Sequence, residues 1–502
     1  MSPRVVETVI AGVGFSGLSA AHELIAHGRD DFLLLEKADE AGGVWRDNVY
    51  PNAACDVPAH LYSLSFAQSP EWSSNYALQA EILDYNNRVI DELGIRERIL
   101  FGTALEKAVW DAGRARWRLS LSTGESIECR FLVSALGTLN QPLIPDLPGL
   151  DEFEGRIVHT AEWPADLDLA GKRVAVIGAG ASAIQVVPHA VQVASQVLVS
   201  IRTAPHVMPK PEELYDEAAK QRFREHPEQL VALRREQYDY WNHSTHAQAV
   251  MDEEFLANAE RVWKEHMESA IADPELRRIL TPGSRFGCRR PVVSNAFYPA
   301  LASPKTTVFD TAITRLTPTG VVSERGEKWA ADVVVLATGF RATEMLSHVT
   351  FVGEGGRPLT EEWSEGGPQA YKGTLVKGFP NLFLITGPNT QASGSIIGVI
   401  EAQTGFVARL MDDADAQGAD AVAVTPEAQA AFDDELTDMM ARSVWEIGGC
   451  ESWYRIGGTG RVVTKWPGSL DEFERVLARP AAADLAFTSA REPARAGAVA
   501  LA

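Results

Sequence analysis

The chain has 502 residues, 45% hydrophobic and 23% charged, with 40 glycines and 27 prolines, which is globular composition and length for about three domains. A formal net charge of −22 argues against nucleic acid or an anionic membrane surface as the main partner, because such a surface repels phosphates. No apolar run approaches the ~18 residues of a transmembrane helix, no basic-then-apolar leader opens the chain, and Cys55, Cys129, Cys288 and Cys450 form no C-x-x-C pair, which excludes a zinc ribbon or redox dithiol and fits a reducing cytoplasm.

Residues 5–10 read as a short buried strand, followed at once by Gly12-Val-Gly14-Phe-Ser-Gly17. Leu18, Ala21, Leu24 and Ile25 then recur at helical spacing, Gly28 closes that helix, and residues 32–35 form a second strand ending in Glu36. In such a unit Gly12 makes the tight turn, Gly14 lets the backbone approach a pyrophosphate, and Gly17 lets helix and strand pack closely. The helix N-terminus faces the phosphates. Glu36, 19 residues after Gly17, is placed to accept hydrogen bonds from an unphosphorylated ribose diol.

Residues 109–129 alternate in polarity and read as antiparallel strands joined by turns, and residues 131–137 form an apolar strand that stops at a glycine. A second copy of the nucleotide unit begins with the strand 172–177. Its turn is Gly178-Ala-Gly180-Ala-Ser-Ala183, its helix runs through Ile184, Val187 and Ala190, and its next strand is 197–200. Here Arg202 and Thr203 stand where an acid would be. An acid there repels a 2′-phosphate and an arginine clamps one, so this site is expected to take NADPH. Two nucleotide sites in one chain imply electron transfer between cofactors, and the partner that accepts hydride at the first site is most simply FAD. Residues 212–280 are charged, nearly free of glycine and helical in period; residues 333–339 repeat the apolar strand that stops at a glycine; the text after 479 is Ala-rich and without pattern.

The expected fold is α/β, with two Rossmann-like dinucleotide-binding domains, for FAD and NADP, and a helical insertion. The FAD domain is expected over 1–142 and 343–480, the NADP domain over 149–211 and 285–340, the insertion over 212–284, and a disordered tail over 481–502.

Between the two glycine turns stand Gly42-Gly43-x-Trp45, Tyr50-Pro51 and Asp56, then Phe153-x-Gly155-x-x-x-His159-x-x-x-Trp163-Pro164. With Tyr76-x-x-Gln79, Gly287-Cys-Arg289-Arg290, Phe297-Tyr298-Pro299, Gly387-Pro-Asn-Thr390 and Ser452-Trp453-Tyr454, this text resembles the type I Baeyer–Villiger monooxygenases over nearly the whole chain. The chain departs from that pattern at Asn52, where the family usually has Gly or Met. It departs again at Gly283-Ser-Arg285, in place of a Tyr-Pro, and at residues 391–395, in place of a Gly- and His-containing turn. The resemblance implies NADPH- and O₂-dependent insertion of an oxygen atom next to a ketone carbonyl through a flavin C4a-peroxide, giving an ester or lactone.

That chemistry needs an anion held out of water, hence a fixed cation beside it, and arginine stays charged at any working pH. Neighbours in extended chain point to opposite sides, so one arginine of the pair 289–290 faces the flavin while the other faces NADP. By resemblance Arg290 is catalytic, Asp56 holds it, and Arg289 is a cofactor contact. Gly43, Trp45 and Gln79 belong with the flavin, Trp453 with a lid over NADP, and His159 and Trp163 with a linker rather than with bond-making. Cys288 reads as a small buried hydrophobe. The expected partners are a ketone and O₂, and the expected state is a cytoplasmic monomer or homodimer. The alternatives are N- or S-oxygenation by the same flavin, an NADPH oxidase or reductase, and a non-catalytic nucleotide binder. The last is disfavoured by the joint presence of Arg290, Asp56 and both glycine turns.

Overall fold

The computed structural model describes residues 3–364, 366–392, 394–478 and 482–490. Its first sheet is centred on the strand Arg4–Ala11, which pairs in parallel with Phe32–Leu35 on one side and Ser126–Ser134 on the other. Phe32–Leu35 is buried at every position, as a parallel strand covered on both faces must be. On the other side, from Ser126–Ser134 outward, the sheet changes character. Leu105–Asp111, Arg116–Leu121 and Ser126–Ser134 form an antiparallel meander, and Arg116–Leu121 alternates between buried and more exposed positions. The chain returns to this sheet late: Thr350–Val352 and Leu382–Leu384 both add parallel strands to it. The helix Phe15–Ala26 packs beside Ile396–Ala416, and the Ser19 and Thr404 hydroxyls meet at 2.8 Å.

The second sheet is wholly parallel, in the order Thr306–Phe309, Gln196–Ser200, Arg173–Ile177, Val333–Leu336, Arg156–His159. The helix Ala181–Val193 crosses over it after the second glycine turn. Four helices follow: Glu217–Glu225, Pro227–Ala249, Glu253–Ala270 and Pro274–Leu280. Asp216, Asp252 and Asp273 cap three of them by accepting backbone N–H bonds, and Pro227 and Pro274 open two of them, where no N–H is needed.

Trp263 and Met267 of this segment pack into the core of the second sheet, yet its helix Pro227–Ala249 is fastened to the first unit. Arg234 donates to the carbonyls of His60, Leu61 and Ser63 at 2.9, 3.1 and 2.6 Å and pairs with Glu401 at 3.2 Å. Asn242 donates to Asp471 at 2.9 Å and accepts from the Leu470 N–H at 2.8 Å. The two nucleotide units also meet directly. Tyr50 donates its hydroxyl to Gln185 at 2.9 Å, and Gln185 donates to the carbonyl of Ala54 at 2.9 Å. Asn52 sits between them at φ +64°. That left-handed backbone is glycine's usual territory and is tolerated by asparagine.

Two expectations need correction. The stretch 481–502 is not a patternless tail throughout. Leu485–Thr488 pairs antiparallel with Ala421–Val424, and Asp484 accepts the Tyr371 hydroxyl at 2.6 Å. A four-residue strand is too short to show alternation, and its partner lies far upstream. Residues 479–481 and 491–502 lie outside the described residues. Cys288 is not a lone hydrophobe either: it forms a disulfide with Cys450, 162 residues away. A pair that distant leaves no mark in local spacing, so the cysteine pattern says nothing about redox compartment. Cys55 and Cys129 are free and buried. Among the described residues no helix is long and apolar enough to cross a membrane.

Candidate active site

The three glycines of the first turn do different things. Gly12 takes φ +109°, and a Cβ on it would lie 2.4 Å from the carbonyl oxygen of Ala135. A Cβ on Gly17 would lie 2.0 Å from the carbonyl oxygen of Gly12. Both are required by the chain's own packing. A Cβ on Gly14 would meet only the Cα of Gly43, at 3.8 Å, so the space it would enter belongs to something other than the protein. The second turn repeats this. Gly178, at φ +121°, would clash at 2.3 Å with the carbonyl of Ala337, Gly180 has nothing within 4 Å, and Ala183 is fully buried. Each following helix starts without a side-chain cap, leaving N–H donors for an anion.

Glu36, at the end of Phe32–Leu35, is buried and accepts from the Val13 and Ala38 N–H groups at 3.2 and 3.1 Å. Arg46 pairs with it at 2.6 Å. Opposite the first turn, Gly43 at φ +55° lets its backbone approach Gly14. Gln79 donates its amide to the carbonyl of Trp45, and Trp45 donates its indole N–H to the Tyr62 hydroxyl at 3.1 Å. Glu36, Gly43, Trp45, Arg46 and Tyr62 line a cavity of about 1230 Å³ that runs from Gly12 and Glu36 to Arg290, Trp453 and Lys465, and Gln79 stands behind Trp45.

Arg290 lines this cavity and donates to Asp56. The Asp56 charge raises the arginine's pKa further, so the guanidinium is a permanent cation. Arg289 is on the other side. Burial, and then the charge of Arg202, push its pKa down, and its Nε is buried with no partner among the described residues. Two arginines close enough to feel each other's charge, one with a buried unmet donor, suit a phosphate dianion. Thr203 follows Arg202 at the strand end, half-buried.

Trp453 is 42% exposed at the cavity mouth, its ring 4.5 Å from that of Tyr454. His159 is buried, accepts from the Ala161 N–H at 3.1 Å, and bonds the carbonyl of Gly339 at 3.1 Å through Nε2. Burial lowers its pKa. Both of its ring nitrogens are committed to backbone groups. Trp163 packs into the core of the second sheet.

Two parts of the site carried no sequence expectation. One face of the helix Pro227–Ala249 lines the cavity through Leu233, Gln237, Tyr240, Trp241, Thr245 and Gln248. Their spacing follows a helix, but their mixed polarity hides the stripe. Lys465 lines it too, from a loop with no periodicity. Ser393, within the departure at 391–395, lies outside the described residues.

The residues present fit both cofactors. The first turn, with its open Gly14, uncapped helix and Glu36, would hold the pyrophosphate and adenosine ribose of FAD; Gly180, Arg202, Thr203 and Arg289 would hold NADPH.

Residues 6–233 match the pyridine nucleotide-disulphide oxidoreductase family. A Baeyer-Villiger monooxygenase of Pseudomonas aeruginosa is 38% identical over 95% of this chain and 90% of its own length. One of Streptomyces coelicolor is 38% identical over 97% of this chain and 93% of its own. The crystal structure of cyclohexanone monooxygenase from Rhodococcus sp. Phi1 bound to NADP+ superposes with a TM-score of 0.86 at 28% identity, covering 97% of this chain and 100% of that one. An oxidized steroid monooxygenase bound to NADP superposes at 0.85 with 31% identity, again over 97% and 100%.

Proposed function

The chain belongs to the Baeyer–Villiger monooxygenases, and we propose how its residues divide that chemistry. The enzyme is an FAD-containing, NADPH-dependent monooxygenase: it takes a ketone, O₂, NADPH and a proton and yields an ester or lactone, NADP⁺ and water. Bound FAD supplies the reduced ring that activates O₂. Everything else falls to the chain.

The observation that carries the assignment is Arg290 in the cavity, paired with Asp56. Arg290 is the fixed positive charge against which negatively charged oxygen is kept out of water, and Asp56 holds its fork in place. Gly14, Glu36, Gly43, Trp45 and Gln79 hold and cover FAD, on a turn that Gly12 and Gly17 shape. Gly178, Gly180, Arg202, Thr203 and Arg289 hold NADPH, and Trp453 covers the mouth. Sheet membership supports an FAD domain over 1–142 and 343–480, extended by the strand Leu485–Thr488, and an NADP domain over 149–211 and 285–340 interrupted by the helices of 212–284. A monomer or a homodimer is the proposed state. The need for NADPH favours the cytoplasm, where that carrier is regenerated.

The test is a panel of cyclic, linear and aryl ketones incubated with the yellow holoenzyme and NADPH, with products separated by chromatography and H₂O₂ measured in parallel. Ester or lactone formation in step with NADPH consumption is the expected result. NADPH consumption recovered wholly as H₂O₂ with every ketone would overturn the assignment.

A further inference from the structure

The cavity holds one charge that this chemistry does not use. Lys465 lies beside Arg290, its ammonium 4.3 Å from the ring centroid of Tyr454 and 5.5 Å from that of Trp445. Its backbone is held on both sides: Asn389 donates to its carbonyl at 2.9 Å, and Gln391 bridges to it. The lysine is therefore placed by the fold, and only its side chain is left to the cavity.

That side chain has no counter-charge. Among the described residues no carboxylate lies within ion-pair distance of it. The nearby acids are already engaged, Asp56 by Arg290 and Glu446 by Arg455 at 2.6 Å, and neither Glu213 nor Glu236, which also line the cavity, pairs with it. Asp56 and Arg290 cancel, so this end of the cavity carries one surplus positive charge whenever Lys465 is protonated. The surroundings are aromatic and apolar: Phe286, Trp445 and Tyr454 share the wall. Burial, and then Arg290, push the lysine's pKa down to about 7. Near neutral pH the amine is thus poised between its neutral and charged forms, and a bound anion would draw it to the ammonium.

We propose that Lys465 is a substrate-recognition residue, and that the ketone taken by this enzyme carries a carboxylate, which Lys465 receives while the carbonyl faces Arg290. A single ammonium suits one monovalent carboxylate. A phosphate dianion calls for several donors, and the Arg202–Arg289 pair already provides those elsewhere. The apolar wall fits the body of such a keto acid. This inference rests on the cavity being the ketone site.

The experiment compares matched pairs: acetophenone with 4-acetylbenzoate, and 2-decanone with 9-oxodecanoate. For each, kcat and KM of ester formation are measured with the unaltered holoenzyme, Lys465→Met and Lys465→Arg, alongside FAD content. The unaltered enzyme should favour the keto acid of each pair by about tenfold or more in kcat/KM. Lys465→Met should cut that ratio by about 10–100-fold, chiefly through KM, and Lys465→Arg should recover part of it. Equal losses on both members of a pair would overturn the proposal, because a merely structural lysine would act that way. A preference of the unaltered enzyme for neutral ketones overturns it without any variant, and leaves the ketone reading standing. Failure of every ketone of both kinds would overturn the two together.

Discussion

The first glycine turn separates folding from binding, and alanine tests that division. Gly14 sits at φ −97° and ψ −165°, a conformation open to any residue, and its Cβ would find only Gly43 Cα at 3.8 Å. Gly14→Ala should therefore leave the apoprotein no less stable, and about 0.4–1 kcal/mol more stable if the loss of freedom in the unfolded chain dominates. The same methyl protrudes where the pyrophosphate approaches. Displacing one hydrogen bond to a charged group costs about 1.5–3 kcal/mol, so FAD should bind roughly 10–100-fold more weakly. Gly17→Ala inverts the pattern. Its Cβ would stand 2.0 Å from the backbone oxygen of Gly12, which has no room to move, and the overpacking should destabilise the apoprotein by about 1–3 kcal/mol or more. The assay is denaturant unfolding of flavin-stripped protein, followed by FAD titration monitored by flavin fluorescence. A Gly14→Ala protein that binds FAD within about twofold of the original, or that is destabilised as much as Gly17→Ala, would refute the division.

Arg202→Ala and Arg289→Ala should each raise KM for NADPH by roughly 10–100-fold with little change for NADH, and the double variant should show less than the product of the two, since both act on one phosphate; equal use of NADH and NADPH by the unaltered enzyme would remove the basis for this. Arg290→Ala should still consume NADPH but release H₂O₂ and form no ester, with only partial recovery in Arg290→Lys and a milder loss in Asp56→Ala; a normal ester yield by chromatography would place the cation elsewhere. His60 and His206 are held by burial at about 4 rather than 6.5, so below pH 6.5 the unfolded chain takes up protons that the folded one refuses. Their contribution is present above that pH and is lost as pH falls toward 4, by roughly 2 kcal/mol each between pH 7 and 5. Urea midpoints at the two pH values should show this, the loss should shrink in His60→Phe, and an unchanged midpoint would contradict the burial.

Both nucleotide units were legible because each is local: strand, glycine turn, helix and strand lie within some three dozen residues, and the spacing from Gly17 to Glu36 or from Ala183 to Arg202 is fixed by that geometry. The Arg290–Asp56 pair spans 234 residues, and family text rather than periodicity brought its members together. What was missed depends on contacts that leave no local trace. Cys288 and Cys450 look like unrelated cysteines until the fold joins them. The strand Leu485–Thr488 is defined only by Ala421–Val424. The cavity face of Pro227–Ala249 mixes Leu233 and Trp241 with Gln237 and Thr245, because a wall that meets a ligand need not be uniformly apolar as a wall that meets a core is.

The placement of Pro227–Ala249 has a bearing on how such an enzyme changes over generations. The helix lends one face to the cavity, and neither glycine turn, nor Glu36, nor Arg202 depends on it. Its anchors, Arg234 and Asn242, point toward the first sheet, while Gln237, Tyr240 and Thr245 point into the cavity. Descendants can thus redraw the cavity wall one residue at a time while both nucleotides stay where they are. New substrates come within reach through drift in a single helix, and the machinery that activates oxygen is inherited intact.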